Sequence, residues 1–173
     1  IPIVFQTGAD PVALGLVASL NRPGGNLTGV TSLSDEVGPK RLELLHELVP
    51  TATIIALLVN PTNPAMADTE ARKLFTAAGM LGLQLRVMEA SSEPDFERAF
   101  ANLRSVGADA LIIGNDLFFN SRLAQLADLA LRHAVPAMHQ FREFAAAGGL
   151  MSFGGSVADA YRRNGIYTGR ILK

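Results

Sequence analysis

One segment constrains the fold more than any other. Thr53–Val59 is an unbroken apolar run rich in β-formers, the mark of a strand covered on both faces. The loop Asn60-Pro61-Thr62-Asn63-Pro64 follows it, and then a helix over Ala65–Gly79. The same alternation continues to the end of the chain. Leu83–Met88 reads as a strand, Glu93–Val106 as a helix capped near Ser91 or Ser92, and Ala110–Ile113 as a strand ending in Gly114-Asn115-Asp116. Asn120–His133 reads as a helix, Val135–His139 as a short strand, Arg142–Ala147 as a short helix and Leu150–Phe153 as a last strand. A final helix runs from Ser156 or Val157 to Leu172. Strands separated by helices of this length imply parallel pairing with right-handed crossovers.

The strands between Thr53 and Phe153 suit an α/β fold: a flavodoxin-like parallel five-stranded sheet, ordered 2-1-3-4-5, with helices on both faces. In such a sheet the ligand crevice lies at the carboxyl ends of the strands flanking the switch point. That rule selects Asn60–Asn63 and Gly114–Phe119. Upstream, Ile3–Phe5 reads as a buried strand and Gln6–Ala9 as a loop. Asp10 with Pro11 is expected to open a helix through Leu20. Asn21-Arg22-Pro23-Gly24-Gly25 supplies turn chemistry, Asn26–Val30 a second strand and Thr31–Ser34 a polar connector. A helix over Asp35–Val49 places Leu42, Leu45, Leu48 and Val49 on one face.

Composition removes several classes of function. The chain has 173 residues, 49% of them hydrophobic, so it can bury on the order of 70% of its unfolded surface. Fifteen basic residues face sixteen acidic ones, which argues against a nucleic-acid footprint. No apolar stretch is long enough to span a membrane. With zero cysteines, disulfides, thiol catalysis and Cys-based metal sites are excluded together. The chain opens on Ile1-Pro2-Ile3-Val4-Phe5 and closes in an amphipathic helix over Gly165–Lys173 with no stop signal. The expectation is a fragment or a processed product, so nothing can be read from the lack of a leader.

The chemistry points to binding. His46, His133 and His139 lack any metal-ligand spacing, and there is no phosphate-binding glycine loop or nucleophile elbow. His46 and His133 read as helix-surface residues, whereas His139 ends a strand, where a pocket role is open to it. A phospho-acceptor domain needs clustered acids after its first strand, and here that strand ends in Asn60-Pro61. Polar loops at strand ends remain. Thr7-Gly8-Ala9-Asp10 sits where a helix N-terminus offers free N–H groups, and Asp10 reads equally as a cap or as the partner of a ligand ammonium. Thr31 and Ser32 carry hydroxyls that reach a ligand or cap the next helix. Asn115, Asp116, Phe118 and Phe119 share one short loop, and one of the two rings is expected to face the crevice. Gly154-Gly155-Ser156 reads as punctuation between strand and helix.

Several blocks carry a family resemblance. IPIVFQTGADPV, RPGGNLTGV and KRLELLHELVP resemble the IPIVF…DPV, KPGGNxTGV and KxLELLxELxP patterns of the solute-binding proteins of ABC importers. The group most similar includes the tryptophan-binding lipoproteins of Gram-positive bacteria. GRILK near the end resembles the family's last helix, so the resemblance covers the whole chain. NDLFFNSR and REFAAAGGLMSFGGS depart from the tryptophan binders, so ligand identity does not carry over.

The resemblance implies a type I periplasmic-binding-protein fold, in which two α/β lobes close on a solute and a full-length protein extends beyond this chain. On that pattern residues 1–30 are the tail of the first lobe, 31–34 a hinge crossing and 35–149 the second lobe. Residues 150–155 then cross back, and 156–173 form a helix returning to the first lobe. It implies no enzyme activity, no cofactor and no metal. The location is the periplasm or a lipoprotein on the outer side of a membrane, with an ABC permease as partner. The solute expected is an amino acid or a similar small amphoteric molecule. Asp10 would take its ammonium, Thr31 and Ser32 its carboxylate, and Phe118 or Phe119 would cover its side chain. Thr7, Gly8, Asn60, Asn115, Asp116, His139 and Phe153 complete the candidate set. Apolar surface left by an incomplete first lobe favours self-association. The competing class is the effector-binding domain of a transcription regulator or sensor of the same fold, and an enzyme on a flavodoxin-like sheet comes third.

Overall fold

The computed structural model describes residues 1–32 and 34–173, with residues 34 and 35 described by backbone alone. Contacts divide the chain into two units, Val37–Gly154 and Ile1–Glu36 with Gly155–Lys173. The expected crossing at 31–34 includes Leu33, which lies outside the described residues.

The larger unit grows from the strand that constrained the sequence. β3 (Ile54–Val59) lies between β4 (Gln84–Glu89) and β5 (Ala110–Ile113), and β6 (Ala137–His139) and β7 (Met151–Ser152) extend the sheet beyond β5. All neighbours pair parallel, from Ile54↔Gln84 on one side of β3 to His139↔Ser152 at the far edge. Counted from Ile54 the order is 2-1-3-4-5, as expected.

Strand side chains alternate faces, and the core divides accordingly. Ala56, Leu58, Leu111 and Ile113 face one cluster with Phe96 and Phe100 of α3 (Glu93–Leu103) and Leu126 of α5 (Leu123–Arg132). Ile55, Leu57, Ala110 and Ile112 face the other, with Leu42 and Leu45 of α1 (Ser34–Leu48) and Leu74 of α2 (Pro64–Met80). Because both faces are covered, β5 is buried at every position.

The helix expected over Asn120–His133 is interrupted. α4 (Leu117–Asn120) is capped by the Asp116 carboxylate, which accepts from the Phe118 N–H at 2.8 Å. The Ser121 hydroxyl donates to the Phe118 carbonyl at 2.7 Å and closes that turn, and α5 starts afresh at Leu123. α6 (Arg142–Ala146) leads towards β7.

In the smaller unit β1 (Ile3–Thr7) and β2 (Leu27–Thr31) pair parallel, from Ile3↔Leu27 to Thr7↔Thr31, and α7 (Val157–Ile171) packs on them. The helix expected from Asp10 to Leu20 is not formed; the segment is a series of turns. Its first turn does start, since the Asp10 carboxylate accepts from the Val12 N–H at 2.8 Å and the Asp10 carbonyl from the Leu14 N–H. Gly15 then takes φ +69°, the left-handed conformation that ends a helix, and the Leu16 and Val17 N–H groups both fold back to the Pro11 carbonyl.

Candidate functional site

The carboxyl ends of β3, β5 and β6 carry the polar groups of the larger unit. Asn60 follows β3 and is nearly buried. Its side-chain oxygen accepts from the Thr62 N–H at 3.0 Å and the Thr62 hydroxyl at 2.8 Å, which folds the loop back on itself. Its amide donates across the sheet to Asp116 Oδ1 at 2.9 Å. One carboxylate oxygen thus ties the loop after β3 to the cap of α4.

The turn after β5 is packed closely. A Cβ on Gly114 would stand 2.6 Å from the Leu58 carbonyl oxygen and 2.9 Å from Glu70 Oε2, so only glycine fits there. The Asn115 N–H donates to Glu70 Oε2 at 2.9 Å, and the Asn115 side-chain oxygen accepts from the Gln140 amide. Glu70 Oε1 in turn meets Arg41 Nη2 at 2.9 Å, with Arg41 fully buried and Glu70 4% exposed. Asn60, Asn63, Met66, Glu70, Asn115, Asp116 and Phe119 line a small hollow that is partly open to solvent.

The other candidates sort by position. Phe119 is fully buried, and Phe118 stacks on Phe96 at 5.1 Å with the Arg122 guanidinium 5.9 Å from its ring. Both phenylalanines therefore belong to the α3 side of the core, and Phe119 alone also lines the cavity. His139 has no exposed surface and is not among the residues that line this cavity. Its Nδ1 accepts from the Phe141 N–H at 3.0 Å, and its ring packs edge-on against Phe141. Burial, and secondarily the positive charge of Arg41, push its pKa down to about 3. Phe153 is half-exposed, and its N–H donates to the His139 carbonyl.

In the smaller unit Thr7, Gly8, Asp10, Thr31 and Ser32 gather at the carboxyl ends of β1 and β2. The Thr7 hydroxyl accepts from the Ala9 N–H at 3.1 Å, the Thr31 hydroxyl donates to the Ala9 carbonyl at 2.9 Å, and the Ser32 N–H donates to the Thr7 carbonyl. Asp10 closes an Asx turn, its Oδ1 accepting from the Val12 N–H.

Sequence reasoning missed Arg41, Glu70 and Gln140. A signal existed for the first two. Arg41 lies four residues before Leu45 and Glu70 four before Leu74, so each charge falls on the buried stripe of its own helix. Gln140 carried none. Among the described residues no cluster of His, Cys, Asp or Glu is placed to hold a metal ion, and no helix is long and apolar enough to cross a membrane.

A parallel sheet with amides and a carboxylate around a cavity at its switch point is the frame of a small-molecule binding domain. Comparison with known proteins is specific. The family profile described as ABC transporter substrate binding protein matches residues 1–173, and the chain belongs to that family. The tyrosine-binding protein of Clostridioides difficile is 30% identical over 138 residues, 79% of this chain and 38% of that protein. A crystal structure of a conserved domain protein from Vibrio cholerae superposes with a TM-score of 0.82 at 26% identity, over 99% of this chain and 57% of that one. The ABC domain from Streptococcus pneumonia in complex with L-Trp gives 0.76 at 20% identity, over 99% and 57%, and its likeness is one of fold. The chain thus spans 38% of the curated relative and 57% of each of these two structures.

Proposed function

We propose that this chain is part of an extracytoplasmic solute-binding protein that delivers an amino acid, or a similar small amphoteric solute, to the permease of an ABC importer. The observation that carries the reading is the hollow at the switch point, lined by the Asp116 and Glu70 carboxylates, the Asn60 and Asn115 amides and the Phe119 ring. Arg41 balances Glu70, which leaves Asp116 in the larger unit, as well as Asp10 in the smaller one, as an acid offered to a solute ammonium. A charge-assisted hydrogen bond of that kind contributes about 1.5–3 kcal/mol. A bare anion would meet Asp116 as a like charge. The tyrosine named for the Clostridioides difficile relative fits the same chemistry: one ammonium, one carboxylate and one ring.

In this reading Val37–Gly154 belongs to the second lobe of the binding protein and the smaller unit to the first. Thr7, Gly8, Asp10, Thr31 and Ser32 are that unit's solute-binding groups. The test is a thermal-shift screen of the protein that carries this chain against amino acids, sugars and inorganic anions. An amino acid at a hundredfold excess over its dissociation constant stabilises by about 2.7 kcal/mol. In an Asp116→Asn variant its affinity falls at least tenfold. A response confined to sugars or anions overturns the reading.

A further inference from the structure

The larger unit buries a full ion pair where an apolar pair would be expected. Arg41 is fully buried, Glu70 is 4% exposed, and among the described residues Arg41 Nε and Nη1 have no hydrogen-bond partner. Such an arrangement is a poor device for stability. Desolvating both charges costs several kcal/mol, and well-packed apolar residues in their place are often neutral or better. Its geometry instead leads outward to the cavity. Arg41 Nη2 holds Glu70 Oε1, Glu70 Oε2 accepts from the Asn115 N–H, and Gly114 lies flush against that same oxygen. The next residue is Asp116, whose Oδ1 is already committed to Asn60 and to the cap of α4.

We infer that Arg41 and Glu70 are positioning residues, a buried clamp from α1 and α2 that fixes the turn Gly114–Asp116 and so presents Asn115 and Asp116 to the cavity. The Gly114 N–H still reaches the Leu58 carbonyl of β3, whereas the Asn115 N–H lies past the ladder and takes the Glu70 carboxylate as its acceptor. The guanidinium holds the far carboxylate oxygen at 2.9 Å and so fixes the rotamer that aims the other at Asn115. The inference rests on the proposed function only in taking Asn115 and Asp116 as groups that meet solute.

The experiment uses the protein that carries this chain, first without ligand. In the double variant Arg41→Met with Glu70→Leu, the two charges leave together. Expected are a melting temperature at or near that of the wild type, at least tenfold faster hydrogen exchange at the Asn115 amide, and at least tenfold weaker affinity for whichever of L-tyrosine and L-tryptophan binds. Glu70→Asp is the second variant. It keeps the charge beside Arg41 but withdraws the carboxylate by one methylene, and it is expected to lose the Asn115 protection with the fold intact. Unchanged Asn115 exchange in a folded variant of either kind overturns the clamp, as does full affinity in the double variant. Where the wild-type protein binds neither amino acid, the exchange rates alone decide the clamp.

Discussion

The two units use the same local vocabulary and arrive at different interiors. Ile3-Val4-Phe5 in β1 and Leu111-Ile112-Ile113 in β5 are equally apolar on paper. Yet β5 is buried throughout, whereas β1 alternates between exposed and half-buried positions, and Ile3 is 48% exposed. β5 has a strand on each side and a helical layer on each face. β1 has a single partner strand and α7. The difference teaches that burial is conferred by neighbours: a strand's composition allows it to be central but cannot make it so. Core-forming side chains accordingly concentrate in Val37–Gly154. The smaller unit contributes Val17 and Ala160 to the buried apolar set.

The most direct way to break this contrast is a pair of truncations. Phe96 is fully buried and packs against both Phe118 and Phe119, so Phe96→Ala is expected to cost about 3–5 kcal/mol. Ile3→Ala in these 173 residues taken alone, at a largely open position, is expected to stay within about 0.5 kcal/mol. Urea titrations of the two variants give both numbers, and comparable losses would remove the distinction.

A second effect separates the units by pH, since His46, His133 and His139 all lie in Val37–Gly154. The folded pKa of His139, about 3, is below the ordinary value, so below about pH 6.5 the unfolded chain binds a proton that the folded one does not. The stabilisation is complete above pH 6.5 and is lost as the pH falls towards 3. The slope is about 1.4 kcal/mol per pH unit. His139→Asn keeps an acceptor for the Phe141 N–H and removes the titration. Its stability, measured between pH 7 and pH 4.5 (roughly the upper part of that window), should be flatter than that of the wild type. An unchanged slope would assign the pH response to other groups.

The third comparison uses one substitution twice, with opposite signs. Gly114→Ala drives a Cβ to 2.6 Å from the Leu58 carbonyl and is expected to cost about 1–3 kcal/mol. Gly165 lies within α7 with open space where its Cβ would be, so Gly165→Ala is expected to stabilise by about 0.5–1 kcal/mol. Thermal melts of the two variants should move in opposite directions. A gain from Gly114→Ala would mean that the turn after β5 has room to relax.

These contrasts also show what could be read before folding. Sheet order and helix placement follow from Thr53–Val59 and the alternation after it, because a doubly covered strand and parallel crossovers leave few topologies. That Asn60, Asn115 and Asp116 would meet at the carboxyl ends of β3 and β5 was legible for the same reason, since the switch point is a property of strand order. Asp10–Leu20 was misread because Pro11 and the apolar residues after it are good helix starters, whereas the left-handed Gly15 that ends the turn is one glycine among sixteen. Phe118 against Phe119 could not be settled from spacing, because both rings reach Phe96 from one short helical turn. The clamp was hidden for a different cause. Arg41 and Glu70 look like surface charges until helix phase is weighed above residue type, and the pairing joins residues of two helices that stand 29 positions apart in sequence.

The smallest effect sharpens the comparison by its sameness. Arg132 pairs with Glu97 at 3.0 Å and with Asp128 at 2.8 Å, which ties α5 to α3 in the larger unit. In the smaller unit Asp159 pairs with Arg162 and Arg163, both at 2.6 Å, within the first turns of α7. All of these side chains are 41–59% exposed apart from Arg162 at 62%. Water and salt therefore screen them, and each pair spends side-chain entropy to form. Arg132→Ala and Asp159→Ala are expected to shift the unfolding midpoint slightly and alike, with both shifts fading at high salt. If Arg132→Ala instead approached the loss from Phe96→Ala and kept it at high salt, surface charge would have to share with the core the credit for holding α3 and α5 on the sheet.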